Sequence, residues 1–193
     1  MLNSIYTQKL RHNCEKSNLK FQAKVKKNLV LLGMMGVGKS TMGKIVAKEQ
    51  RLEFIDTDKN IEKKCSMKIS EIFKNKGEKF FRLEEEKEVL KSLKKSGCVI
   101  ALGGGAFINS AVRSYILRNA ISVWLDVDLK TLNKRTKWNK KRPLLEKKNN
   151  QNEISKLYNE RKDVYKQADY KINCDKLNKQ NIAKKIINYY EKH

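Results

Sequence analysis

The segment at positions 33–40 has the residue types and the spacing of a phosphate-binding loop. It reads GMMGVGKS, so a glycine is followed by four residues and then by Gly-Lys-Ser. Successive backbone N–H groups and a helix N-terminus would point at one anion. Lys39 would contact the outer phosphates, and the Ser40 hydroxyl would be a ligand of Mg²⁺. Apolar residues 29–32 before the loop and a helical pattern after it disfavour a chance match, so the segment predicts binding of ATP or GTP.

Two carboxylates follow the second apolar segment of the chain. Asp56 and Asp58 come directly after residues 52–55, a strand pattern, and open α/β sheets place active sites at the carboxyl ends of strands. On an extended chain the two side chains would point the same way. One can hold Mg²⁺ through water, and the other can bind an acceptor hydroxyl. Alternatively, one of them caps the helix that begins near Lys59, and Asp58 is open to that role.

Two arginines lie on apolar helix faces, where a surface cation is not expected. Arg82 directly follows an aromatic pair at positions 80–81, and Arg161 lies on the apolar side of a predicted helix at 152–168. The default interpretation is structural, with the aliphatic stem on the apolar surface and the charge in solvent. The alternative is that Arg82, held by Glu85 one turn later, binds a carboxylate.

Three glycines and one basic segment complete the candidate site. Gly103-Gly104-Gly105 follows a buried strand pattern at 98–102, and glycines there let a ligand approach the backbone. Residues 134–148 contain eight Lys or Arg and one Glu. Such a segment is usually a solvated charge run. Its position after four strands of a nucleotide-binding sheet favours instead a mobile lid that brings an arginine onto the phosphates.

Strand patterns alternate with helix patterns throughout, which predicts a parallel, doubly wound sheet. We expect an α/β, three-layer P-loop fold, with a five-stranded parallel sheet flanked by helices and a small mobile lid. Strands four and five are predicted at 121–125 and 170–174, and Gly77 should interrupt the helices within 59–96. Residues 1–26 form a basic N-terminal extension. Residues 27–193 are expected to form the P-loop domain, with the lid at about 137–151.

Composition excludes several classes of protein. The 193 residues have a formal net charge of +23, but the lysines are spread over nearly every segment and no RNA-binding aromatic motif occurs. We therefore expect no specific nucleic-acid partner. The four cysteines have no metal or redox spacing. No apolar run approaches the roughly 20 residues of a membrane helix, and no secretory signal is visible. These features favour a cytoplasmic protein without a membrane partner, and we expect a monomer.

The ordered motifs resemble the shikimate kinases, small P-loop enzymes of the nucleoside-monophosphate-kinase type. The resemblance runs from about Lys27 to the C-terminus. It rests on the sequences GMMGVGKS, DTD at 56–58, FFR at 80–82 with Glu85, LGGG at 102–105, RPLL at 142–145, and Glu160-Arg161 followed by Tyr165. It implies transfer of the ATP γ-phosphoryl group to the 3-hydroxyl of shikimate, in aromatic amino acid biosynthesis, with Mg²⁺ as cofactor.

The resemblance also implies a role for each matching residue. The ATP phosphates are held by Gly36, Val37, Gly38, Lys39, Ser40 and Thr41. Ser40 and Asp56 bind Mg²⁺, and Asp58 holds the acceptor hydroxyl as the candidate base. The shikimate carboxylate is held by Arg82 and Arg161, and Gly104 and Gly105 lie against the ring. Arg142 descends from the lid onto the phosphates, and Arg135 lies near the nucleotide. The catalytic residues are Lys39, Asp58 and Arg142.

Three alternatives remain at this point. A related small-molecule kinase of the gluconate-kinase type would have the same loop and lid, but it should not need both arginines around a ring acid. A nucleic-acid-binding P-loop protein would bind oligonucleotides tightly at physiological salt. A degenerate module would hold ATP without transferring phosphate, which the combination of Lys39, Asp58 and Arg142 disfavours.

Overall fold

The computed structural model describes residues 26–137 and 150–193. Within these ranges the strands are β1 Asn28–Leu32, β2 Glu53–Asp56, β3 Cys98–Ala101, β4 Ala120–Asp126 and β5 Tyr170–Asn173. The helices are α1 Lys39–Gln50, α2 Thr57–Cys65, α3 Ile69–Leu93, α4 Ser110–Asn119, α5 Leu129–Lys137, α6 Asn150–Tyr165 and α7 Lys179–Tyr190, with a 3-10 turn at Ala106–Ile108.

The five strands form one parallel sheet in the order β2-β3-β1-β4-β5. The connection from β1 to β2 runs in one direction across the sheet, and all later connections run in the other. Because such crossovers are right-handed, α1 covers one face and α2 to α6 cover the opposite face. The last helix, α7, packs beside α1. The result is the predicted three-layer α/β fold.

The core lies on both faces of the three central strands. Every residue of β1, β3 and β4 is buried, as expected for parallel strands covered by helices on both sides. Cys98 and Cys174 are buried members of this core. Within the two described ranges, no helix is both long enough and apolar enough to cross a bilayer.

The helical region after β2 differs in detail from the prediction. The chain turns between α2 and α3, where Ser66 has a positive φ of 51°. The two helices pack against each other and form a small second core of Ile61, Ile72 and Phe81. The predicted break at Gly77 is confirmed, because Gly77 has φ 81° and kinks α3.

Two predicted regions lie largely outside the described residues. The N-terminal extension at 1–26 overlaps them only at Lys26, whose carbonyl accepts a hydrogen bond from the Gly97 amide. The lid at about 137–151 overlaps them only at its ends. Both stay predictions.

The first residue of the sheet provides a test of the fold. The buried Asn28 side chain donates to the carbonyls of Leu93 (3.2 Å) and Lys95 (2.6 Å) and accepts from the Cys98 amide (2.9 Å). Asn28→Ala would leave these backbone groups without that partner. We expect a loss of about 1–3 kcal/mol in the free energy of unfolding, measured by urea denaturation. Asn119→Ala, at an exposed site, is the control and should change stability by less than about 0.5 kcal/mol. Equal urea midpoints for Asn28→Ala and Asn119→Ala would contradict the stabilising role assigned to the Asn28 side chain.

Candidate active site

The phosphate-binding loop connects β1 to α1 at the carboxyl edge of the sheet. Gly38 has a positive φ of 102° and directly precedes the first helical residue, Lys39, so the loop ends in the helix N-terminus predicted from the sequence. The Lys39 ammonium group donates to the carbonyls of Gly33 (2.8 Å) and Met34 (3.0 Å). The lysine is therefore folded back over the loop that it serves.

Close packing at the start of the loop requires a glycine. Gly33 has φ 130°, and a Cβ there would overlap the Leu125 carbonyl oxygen and lie 3.3 Å from the Trp124 ring. The loop thus rests directly on the end of β4.

The carboxylate pair after β2 is present, but its helix cap is assigned differently from the prediction. Asp56 caps α2, because its Oδ1 accepts from the Lys59 amide at 3.2 Å. Asp58 lies inside the first turn of that helix, so the prediction that it could be the cap is wrong. The chain is also not extended between the two residues, since α2 begins at Thr57. Both side chains nevertheless reach the same cavity.

Arg82 is held on α3 by two carboxylates. Its Nη1 donates to Glu85 at 2.7 Å, and its Nε and Nη2 donate to Glu78 at 3.2 and 2.9 Å. The Glu85 partner was predicted, whereas Glu78 was not, although it lies four residues earlier on the helix, where pairing is common. Burial raises the pKa of Glu85, and the Arg82 charge opposes that shift.

Arg161 is buried on α6, only 8% exposed, and points at the glycine triplet. Its Nη1 donates to the Gly104 carbonyl at 3.1 Å. The same oxygen accepts from the Tyr165 hydroxyl. Sequence reasoning used Tyr165 only as part of a motif and missed this contact.

Two glycines of the triplet lie so close to these groups that side chains on them would collide. A Cβ on Gly103 would lie 2.5 Å from Asp58 Oδ1 and 2.5 Å from Glu85 Oε1, and a Cβ on Gly105 would overlap the Arg82 guanidinium. The glycines therefore allow the backbone to touch the carboxylates and the arginine at once.

Thr57, between the two aspartates, was also missed by sequence reasoning. Its fully buried hydroxyl donates to the Ala101 carbonyl at 3.2 Å and accepts from the Gly103 amide at 3.1 Å. It therefore ties the end of β2 to the start of the glycine triplet.

These groups meet in one cavity of about 540 Å³ beside the phosphate loop. The predicted residues that line it are Ser40, Asp56, Asp58, Arg82, Gly104, Gly105 and Arg161. An apolar side that was not predicted is formed by Ile69, Phe73 and Phe81 from α3. The cavity is therefore lined by carboxylates, by two guanidinium groups and by an apolar wall.

Two predicted arginines are not part of this cavity as described. Arg135 is exposed on α5, near Cys174. Burial raises the pKa of the Cys174 thiol to about 11, and the positive charge of Arg135 opposes that rise. Arg142 lies outside the described residues. In the described ranges, no group of three or more His, Cys, Asp or Glu side chains is arranged to hold a metal ion.

Comparison with known proteins agrees with the geometry. A family model described as shikimate kinase matches residues 35–191. A shikimate kinase of Bartonella henselae is 43% identical over 159 residues, which cover 82% of this chain and 76% of the relative. The solved structure of a shikimate kinase from Acinetobacter baumannii in complex with shikimate has a TM-score of 0.83 at 31% identity, covering 86% of this chain and 93% of that chain.

A more distant likeness extends to the predicted alternative. A gluconokinase from Sinorhizobium meliloti has a TM-score of 0.54 at 13% identity, covering 87% of this chain and 93% of that chain, which is a similarity of fold alone. The family model, by contrast, matches residues 35–191, and the Bartonella henselae relative is 43% identical to this chain. The chain therefore belongs to the shikimate kinase family of ATP-dependent phosphotransferases.

Proposed function

We propose that this protein transfers the γ-phosphoryl group of ATP to the 3-hydroxyl of shikimate, giving shikimate 3-phosphate and ADP. The observation that carries the proposal is that Asp58, Arg82 and Arg161 line the same cavity as Ser40 of the phosphate loop. An acidic ring alcohol bound between the arginines and Asp58 would present its hydroxyl to a nucleotide on the loop. The relative from Acinetobacter baumannii, whose structure contains shikimate, supports this choice of substrate.

The ATP end of the site is assigned to the loop and the start of α1. Backbone N–H groups from Gly36 to Thr41 would hold the phosphates, and Lys39 would exchange its two carbonyl partners for phosphate oxygens. This exchange is favourable because an anionic oxygen attracts an ammonium group more strongly than a neutral carbonyl does.

The donors for Mg²⁺ fit a hydrated ion shared with the phosphates. Ser40 supplies a hydroxyl, and Asp56 has a second carboxylate oxygen beside the one that caps α2. Mg²⁺ commonly takes one or two protein ligands and completes its shell with water and phosphate. When bound, the ion neutralises charge on the phosphate oxygens.

The acceptor end is assigned to Asp58, the two arginines and the glycine triplet. Arg82 and Arg161 would bind the shikimate carboxylate, and Gly104 and Gly105 would lie against the ring. Asp58 would orient the hydroxyl and accept its proton. Because the transition state of phosphoryl transfer is loose, alignment and charge neutralisation contribute more than a strong base does. Arg142 would add positive charge from the lid.

Arg135 is assigned to the nucleotide, near the loop after β5. Its closeness to Cys174, which directly follows β5, supports this assignment, because the parallel strands end at the edge of the sheet from which the phosphate loop emerges.

The choice of substrate can be tested by ATP consumption. We expect ADP to form when shikimate is added, with a kcat/KM at least about 100-fold above that for gluconate, because a flexible sugar acid cannot satisfy both arginines and Asp58 together. A coupled spectrophotometric assay measures both rates. Equal rates with gluconate would contradict the assignment, and stimulation by an oligonucleotide instead of shikimate would favour the nucleic-acid alternative.

The role of Asp58 can be tested by Asp58→Asn. This change keeps the shape but removes the proton acceptor, so we expect kcat to fall by on the order of 10²–10⁴. The dissociation constant for ATP, measured by calorimetry, should change by less than about threefold. Asp163→Asn, at an exposed site on α6, is the matched control. Normal turnover by Asp58→Asn would show that Asp58 is not the base.

The glycine contacts predict two separable effects of adding one methyl group. Gly103→Ala would push on Asp58 and Glu85, so we expect kcat to fall by about 10²-fold through misplacement of the reacting groups. Gly105→Ala would displace the Arg82 guanidinium, so KM for shikimate should rise about tenfold with a smaller change in kcat. Both variants are measured by steady-state kinetics, and each is the control for the other. If both changed the same constant in the same proportion, the assignment of two separate roles would be wrong.

A further inference from the structure

The Tyr165 hydroxyl lies beneath the glycine triplet, at a point that the roles assigned above leave unused. The side chain is 1% exposed, and its hydroxyl donates to the Gly104 carbonyl. That oxygen also accepts from Arg161 Nη1 at 3.1 Å. One backbone acceptor is therefore shared by a tyrosine and by an arginine of the proposed substrate site.

The same tyrosine contacts the phosphate loop. Its hydroxyl lies 3.9 Å from the Met34 sulfur, and its ring packs against Trp124 with centroids 5.9 Å apart. Gly104 is itself next to the loop, since a Cβ there would lie 3.5 Å from the Met35 amide nitrogen. Tyr165 therefore stands where the nucleotide side and the acceptor side of the site meet.

The presence of the Tyr165 hydroxyl requires an explanation, because a phenylalanine would fill nearly the same space without it. Burying a hydroxyl costs free energy that only a hydrogen bond recovers. Burial raises the pKa of Tyr165 to about 12, partly opposed by the Arg161 charge, so the group is a neutral donor at physiological pH. The hydroxyl therefore has a proton to donate to the Gly104 carbonyl.

We propose that Tyr165 is a positioning residue for the acidic substrate: by fixing the Gly104 carbonyl, it holds the Arg161 guanidinium with its remaining N–H groups directed at the substrate carboxylate. The inference rests on the proposed function. A guanidinium is planar, so fixing one N–H on the carbonyl sets the direction of the others. Without the hydroxyl, Gly104 and Arg161 would keep their mutual bond but lose the group that holds both in place.

Tyr165→Phe tests the proposal. Because the substrate carboxylate is bound equally in the ground state and the transition state, KM for shikimate should rise about tenfold, while kcat and KM for ATP change by less than about twofold. Tyr158→Phe is the matched control, because it also removes a tyrosine hydroxyl from α6. The Tyr158 hydroxyl donates to Asp126 at 3.1 Å and not to the glycine triplet. Tyr158→Phe should leave KM for shikimate unchanged.

A double-mutant cycle separates positioning from a merely structural role. If Tyr165 acts through Arg161, the loss of kcat/KM for shikimate in Tyr165→Phe/Arg161→Lys will be several-fold smaller than the product of the two single losses. The proposal would be overturned if the loss in the double variant equalled the product of the two single losses. It would also be overturned if Tyr165→Phe raised KM for shikimate and KM for ATP by the same factor. If Tyr165→Phe lowers the melting temperature, the wild type, both single variants and the double variant are assayed well below the lowest of their melting temperatures. The comparison of the double loss with the product of the single losses then decides in the same way. Absence of shikimate phosphorylation by the wild type would instead refute the proposed function.

Discussion

The register between three parallel strands fixes the candidate site. Leu31 of β1 and Asp56 of β2 both pair with Ala101 of β3, so three chain segments leave the sheet at one level. Two residues beyond that level lie Gly33, Gly103 and Asp58. The phosphate loop, the glycine triplet and the candidate base therefore come together because of strand pairing, before any side chain contributes.

Backbone contacts then hold the three segments together above the sheet. Thr57 bonds to both sides of the β3 exit, and Gly103 leaves room for two carboxylates to approach its α-carbon. On the other side, Gly104 accepts from Arg161 and from Tyr165 of α6. The acceptor side of the site is thus built around a strand exit that has no side chains of its own. Close approach of neighbouring side chains accounts for Gly103 and Gly105, whereas a Cβ on Gly104 would make only ordinary contacts of 3.5 Å or more.

Much of this arrangement could be predicted from the sequence, because the patterns that carry it are local. The alternation of apolar strands and amphipathic helices predicted the sheet, and the loop pattern at 33–40 predicted the nucleotide side. Contacts between segments distant in the chain could not be predicted in the same way. The bonds of Thr57 to Ala101 and of Tyr165 to Gly104 join residues 44 and 61 positions apart, which no periodicity reports. The cap of α2 was misassigned because Asp56 and Asp58 are chemically equivalent, and only the backbone angle at the strand end distinguishes them.

Three cations with proposed roles, Arg82, Lys39 and Arg161, differ in the partners that the structure gives them. Arg82 is paired with two carboxylates, Glu78 and Glu85, so its charge is largely balanced and its position is fixed before substrate arrives. Lys39 donates to the carbonyls of Gly33 and Met34, and Arg161 donates to the carbonyl of Gly104. A carbonyl partner lowers the cost of burying a cation and leaves its positive charge in place. Under the proposed roles all three cations gain an anionic partner. Arg82 would do so from a position that Glu78 and Glu85 already fix, whereas Lys39 and Arg161 would do so from backbone carbonyls.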